Sequence, residues 1–391
     1  MSDAAGSEPP SSVLTEVVST KAIVVCCGAG GVGKTTTAAA FALEAARLGR
    51  KSCVVTIDPA RRLANSLGLD TLSNSPARID GAWSGELSAM MLDPKGTFDD
   101  LIHRYADTTE QAEGILSNRI YRNLTGALSG TQEYMAMEKL YELVEEGGFD
   151  VVVVDTPPSR NALDFLDAPK RLTGFLGNRI FRTLMLPTRA GLRFMGVAAQ
   201  ALLKTLSKVA GADVVRDAVT FFQAFEGMEE GFRTRADRVG ELLGQDTTAF
   251  ILVASPRPDS VDEAIHFAAK LHESDLPVTA LIVNRVQPRF IDDDRLRALD
   301  DVGGDDQPLG RLIENLRGYT AAADRDEQSY TDLIDRVAPA PVARVPLLNS
   351  DVHDLEGLGT IADALFGGER PVATAGPAGS GWPAEPPRQA G

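Results

Sequence analysis

Seven short apolar runs divide this chain, at residues 22–27, 52–57, 87–92, 149–154, 249–254, 278–283 and 341–345. The clearest, Val151-Val152-Val153-Val154, is continuous rather than alternating, which suits a strand buried on both faces of a parallel sheet. Helical spacing fills much of what lies between: 34–48, most of 96–147, 259–272, and a last helix ending near residue 366. Strands alternating with helices predict an α/β, three-layer sandwich with a mostly parallel sheet.

Residues 165–245 break the alternation. Strand signals are few there, while Leu192, Met195, Ala199, Leu202, Leu206 and Val209 follow i, i+3/i+4 spacing, and Phe175, Phe181, Phe194 and Phe221 add large apolar groups. The pattern predicts an α-helical subdomain inserted at about 96–147 and 165–245. Its apolar surface reads first as ordinary core and second as a groove for another helix. Residues 1–19, rich in Ser, Pro and Ala, are predicted to be a disordered N-terminus. Residues 367–391, heavy in Gly, Pro and Ala, are predicted to be a disordered tail, leaving 20–366 as the folded domain.

Between the first predicted strand and its helix stand Gly28, Gly33, Lys34 and Thr35, spaced G-x-x-x-x-G-K-[ST]. That is a P-loop. Polyphosphate oxygens must be met by several inward backbone N–H groups, and residues without a Cβ let the backbone curl and approach the ligand. Gly28, Gly30, Gly31 and Gly33 meet that need. The helix starting near Lys34 turns its unpaired N–H groups toward the phosphates, Lys34 adds a cation, and the Thr35 hydroxyl can ligate Mg²⁺. Asp155 ends the valine strand in the Walker B arrangement, holding Mg²⁺ directly or through water. Asp58 ends the second predicted strand at the ligand edge of such a sheet. From the residues alone it either positions the attacking water or caps a turn, as Asp-Pro commonly does.

Composition narrows the function classes. With 43% hydrophobic and 24% charged residues, the chain is ordinary globular material. A net charge of −16 argues against a nucleic-acid surface. The first 20 residues carry Asp3, Glu8 and Glu16 without a basic region or an apolar core, and no run of 18 apolar residues occurs. A cytoplasmic location is expected. Cys26, Cys27 and Cys53 make neither a disulfide framework nor a zinc site and read as small buried strand residues.

GAGGVGKTTT, then IDPA, VVVVDTPPS, VNR and VPLLNSDVHDLEGL, in that order, resemble the ArsA family, which includes the arsenite-pump ATPase subunit and the ATPase that targets tail-anchored proteins. The resemblance runs from about Lys21 to Phe366. It implies a Mg-dependent ATPase in which two P-loop units face each other across ATP, with helical subdomains above that hold a client. On matching positions it implies that Gly28, Gly30, Gly31, Val32, Gly33, Lys34, Thr35 and Thr36 bind phosphates. Thr35, Asp58 and Asp155 would serve the metal, with Lys34, Asp58 and Asp155 catalytic. Asn284 would hydrogen-bond the adenine, since an amide offers both donor and acceptor to its edge, with Pro346, Leu347 and Asp351 in the adenine-facing loop and Arg285 also nucleotide-binding.

Two departures from the family pattern carry consequences. The family's P-loop has a lysine at its second position, reaching the partner's nucleotide; here that position is Ala29. A heterodimer with a lysine-bearing paralogue is therefore favoured over a homodimer, with Arg61 or Arg62 as a lesser source of the cation. The chain also has no cysteine after Cys53, against metalloid activation by thiolates or a zinc-clipped dimer. The expected partners are a dimer mate and an apolar protein segment or a membrane protein, without nucleic acid. An energy-coupling subunit of an anion or metalloid exporter, or a weakly hydrolysing regulatory subunit, is the alternative.

Overall fold

The apolar runs become strands of one sheet. The computed structural model describes residues 9–57, 62–119, 121–122, 131–157, 217, 220–221, 223–224, 227–299 and 307–367. Among these the sheet has eight strands: β1 Ile23–Gly28, β2 Lys51–Thr56, β3 Ala77–Ile79, β4 Glu86–Met91, β5 Val151–Asp155, β6 Thr248–Ala254, β7 Val278–Val286 and β8 Val342–Pro346. Their spatial order is β3-β4-β2-β5-β1-β6-β7-β8. Every pairing is parallel except that of β3 with β4. The α/β, mostly parallel architecture is the one the runs predict. β3, three residues long, carries too little pattern to be read from sequence.

The continuous apolar character has a direct physical cause. Side chains alternate across each strand, and both faces of this sheet are covered. Ile23, Val25, Val152 and Val154 pack into one cluster with α4 Pro94–Tyr105, α5 Thr109–Ser117, α6 Thr131–Tyr141, α7 Glu229–Leu243 and α8 Pro258–Glu273. Val24, Cys26, Val151 and Val153 pack into the other with α1 Pro10–Thr20, α2 Lys34–Arg47 and α12 Leu355–Phe366. The polar stretch 288–335 forms α9 Asp293–Ala298, α10 Gln307–Ser329 and α11 Thr331–Val337; the short α3 is Arg62–Ser66. Of the two stretches expected to form a helical insertion, 96–147 is largely described, and 165–245 is described at 217, 220–221, 223–224 and 227–245. The residues from 165 to 216, with the periodic set Leu192 to Val209, lie outside the described residues.

The expected disorder of 1–19 is corrected over residues 10–19, which form most of α1. Pro10 stands at the first helical turn, where its missing N–H costs nothing. Leu14, Val17 and Val18, spaced i, i+3, i+4, are at most 2% exposed. That apolar stripe outweighs the Ser- and Pro-rich composition, and Arg50 Nη1 fixes the helix end by donating to the carbonyls of Val18 (2.6 Å) and Lys21 (2.8 Å). Leu14→Ala is expected to cost about 3 kcal/mol, the usual loss for an emptied core leucine. A urea midpoint shift checks this; an unchanged midpoint would mean that α1 detaches freely. Residues 1–8 and 368–391 lie outside the described residues.

Candidate active site

The parallel register brings the chemistry to the carboxyl edge of the sheet. Asp155, last residue of β5, lies level with Cys26 on β1 and Thr56 on β2. It is 1% exposed. Two hydroxyls donate to its Oδ2: Thr35 Oγ1 at 2.7 Å and Thr56 Oγ1 at 2.9 Å. Thr156, next along, turns its hydroxyl onto the Cys26 carbonyl (2.8 Å) and so ties the strand end to the base of the glycine loop.

The loop itself is shaped by backbone conformations that side chains resist. Gly28 (φ 146°) presses against β6, where an added Cβ would stand 2.0 Å from the Val253 carbonyl oxygen. Gly33 (φ 99°) opens α2, and a Cβ there would meet the Asn284 amide nitrogen at 2.2 Å. Gly31 also has positive φ (76°) but open space around it. Only glycine adopts all three conformations without strain. Lys34, 6% exposed, donates from Nζ to the Ala29 carbonyl at 2.8 Å, folding its cation back over the loop.

A cleft of ≈ 320 Å³ opens above. It is lined by Gly31, Gly33, Lys34, Thr35, Thr36, Asp155, Thr156, Arg285 and Asp351, with Arg62, Asn65, Ser66, Val352 and His353 at its sides. The structure thus brings together most of the predicted set. Gly28 and Val32 are buried beneath the loop, and Gly30 is exposed on it. Asn284 sits beside the loop and donates from Nδ2 to the Val32 carbonyl at 2.8 Å. Pro346 is separate: with Val286, Arg289, Glu327 and Arg344 it lines a second hollow of ≈ 470 Å³ near α10. Leu347 is 44% exposed, its N–H bonded to the Val286 carbonyl. Asp58 and Arg61 lie outside the described residues. Thr56 escaped the sequence reading, because a threonine inside an apolar strand gives no sign that it faces a carboxylate 99 residues away.

The donors suit a small hard cation and an anion. Hydroxyl and carboxylate oxygens are the ligands Mg²⁺ takes, usually few in number with phosphate and water completing the shell. Among the described residues no group of three or more His, Cys, Asp or Glu converges as a metal site. The thiols offer no alternative. Cys26, Cys27 and Cys53 are free and buried, and burial pushes Cys27 and Cys53 up to about 12. Burial and then the nearby Asp155 raise Cys26 well above its ordinary value.

A glycine loop at the start of a helix, facing a strand-end aspartate across parallel strands, places this chain among the P-loop nucleoside triphosphatases. The profile of the anion-transporting ATPase family matches residues 20–302. The chain belongs to that family, the ArsA ATPases, and is an ATPase. Its relatives include the "Putative arsenical pump-driving ATPase 1" of Aquifex aeolicus, 23% identical over 89% of this chain and 80% of that protein. ATPase GET3 of Malassezia globosa is 24% identical over 92% of this chain and 95% of its own length. ATPase GET3 of Ajellomyces dermatitidis is 31% identical over a shorter stretch, 38% of this chain and 43% of that one. Among the described residues no helix is long and apolar enough to cross a membrane.

Proposed function

We propose that this ATPase is Mg-dependent and couples ATP binding and hydrolysis to the opening and closing of a dimer that acts on a client held by the helical subdomain. The convergence of Thr35 and Asp155 beneath the glycine loop carries the reading. Thr35 and Asp155 would hold the metal, which when bound neutralises phosphate charge. Gly31, Gly33 and Thr36 present the loop and helix start to the phosphates, and Lys34 supplies the fixed cation. Asp58 would orient the attacking water. Asn284 spends one amide hydrogen on Val32 and one oxygen lone pair on the Arg285 N–H (2.9 Å). A donor and an acceptor remain, which is what an adenine edge requires.

Ala29 favours a heterodimer with a lysine-bearing paralogue. Its side chain is 5% exposed and packed with Val32 in the α2-side cluster, so it offers no charge to a facing subunit. Arg62, exposed at the cleft wall, is the described candidate for a substitute cation. The name of the Aquifex aeolicus relative supports an exporter-coupled alternative, but three buried, protonated thiols weigh against thiolate capture of a metalloid. The test is ATP turnover by the lone chain and by its mixture with lysine-bearing paralogues, with size measured in ATP and in ADP. The lone chain is expected to turn over slowly, and the mixture at least about tenfold faster, since trans cations in P-loop enzymes contribute more than that. Equal turnover by a homodimer would overturn the heterodimer; no turnover in any combination would count against coupled hydrolysis.

A further inference from the structure

Where β7 meets the cleft, its ladder with β8 slips. Asn284 pairs with Val345 and Val286 with Pro346, leaving Arg285 as an unpaired extra residue. Its backbone is left-handed (φ 62°), a conformation that a long side chain adopts at a cost. A bulge bends a strand and re-aims a side chain, and such bulges gather beside active sites. Here the re-aimed side chain crosses to the glycine loop: Arg285 Nη1 donates to the Gly31 carbonyl at 2.9 Å. Its neighbour Asn284 takes the next carbonyl, that of Val32. Two consecutive carbonyls of the loop are thereby held from one strand end, 252 and 254 residues away in sequence.

Fixing two carbonyls has a consequence for the opposite side of their peptide planes. Each peptide is planar and trans, so fixing a C=O direction fixes that of the N–H of the next residue. The N–H groups of Val32 and Gly33 follow the Gly31 and Val32 carbonyls. Gly31 has positive φ and open space around it, so close packing does not by itself hold its peptide in place.

We propose that Arg285 is a positioning residue for phosphate binding: the β7 bulge aims its guanidinium at the Gly31 carbonyl and so presets the loop N–H groups before nucleotide arrives. The proposal rests on the nucleotide-binding reading of the cleft and adds the strand-end latch to it. Preset donors lower the ordering cost of binding. The role belongs to this side chain, and the strained backbone beneath it is retained for that reason.

The experiment measures calorimetric affinity of the full chain for Mg·ADP and for a non-hydrolysable Mg·ATP analogue, alongside the melting temperature without nucleotide. Arg285→Asn tolerates the left-handed backbone and removes the guanidinium; Arg285→Lys keeps a single donor. Arg285→Asn is expected to weaken ADP and the ATP analogue alike, by about tenfold, the loss typical of one hydrogen bond from a charged donor. The melting temperature should stay equal or rise as strain is released. Arg285→Lys should recover part of the affinity. Unchanged affinity in Arg285→Asn, or a loss confined to the ATP analogue, would overturn the latch, the second by making Arg285 a γ-phosphate contact. Failure of the unaltered protein to bind either nucleotide would overturn the reading of the cleft instead.

Discussion

Lys34→Ala is expected to lower ATP turnover about 100- to 1,000-fold, the range seen when one fixed electrostatic stabiliser is removed from an enclosed site. The lysine is 6% exposed, so its cation sits where water screens it poorly. Its Nζ donates to the Ala29 carbonyl at 2.8 Å, within its own loop. That bond holds Nζ above the glycine turn, and phosphate oxygens entering the cleft would meet a cation already in position. Arginine is not a substitute, because a planar fork cannot occupy the place of a compact ammonium. Turnover and ADP affinity measured together distinguish the outcomes. A large loss of turnover with intact melting temperature supports the assigned role; a loss below about threefold would remove Lys34 from the chemistry.

Arg235→Ala is expected to destabilise the chain by about 3–5 kcal/mol, the cost of breaking one side of a buried ion pair. Glu138 on α6 is 1% exposed and receives Arg235 Nε at 2.8 Å. Arg235, on α7 and 7% exposed, also donates to Glu146 Oε1 (2.9 Å) and stacks its guanidinium over Tyr141, 3.9 Å from the ring centre. Arg104 of α4 closes the group with two bonds to Glu146, at 2.8 and 2.9 Å. Helices α4, α6 and α7 are therefore tied through two guanidiniums, those of Arg104 and Arg235, and the carboxylates of Glu138 and Glu146.

The two carboxylates respond in opposite directions. Burial raises Glu138 from its ordinary value despite Arg235, whereas the Arg104 hydrogen bonds hold Glu146 down to about 2. The stability that Glu146 contributes is thus present above the ordinary carboxylate range and lost as pH falls toward about 2. Glu138→Gln in the Arg235→Ala background should restore part of the loss, because it removes the stranded charge. Urea unfolding of the single and double variants checks this. A single-variant loss under about 1 kcal/mol would show the pair to be solvated.

The sequence by itself determined the elements whose causes are local. Glycines at 28, 31 and 33 must be glycine for the loop to curl, and Lys34 and Thr35 follow because they open the helix. Continuous apolar runs required a sheet covered on both faces, and Asp155 was legible as the polar end of one such run. Composition misled where a short apolar stripe was hidden in polar text, in α1 with Leu14, Val17 and Val18.

What the tertiary structure decided were meetings between distant residues, which no local preference encodes. Strand order set β1 between β5 and β6, and that order brought Thr35 and Thr56 onto one oxygen of Asp155. The slipped register of β7 turned Arg285 toward Gly31, and packing of α7 on α6 enclosed Arg235 with Glu138. Glycine turns and apolar runs are selected by the conformations and solvation of neighbouring residues. Partners 97 to 254 residues apart are selected by which faces the folded sheet leaves to be covered.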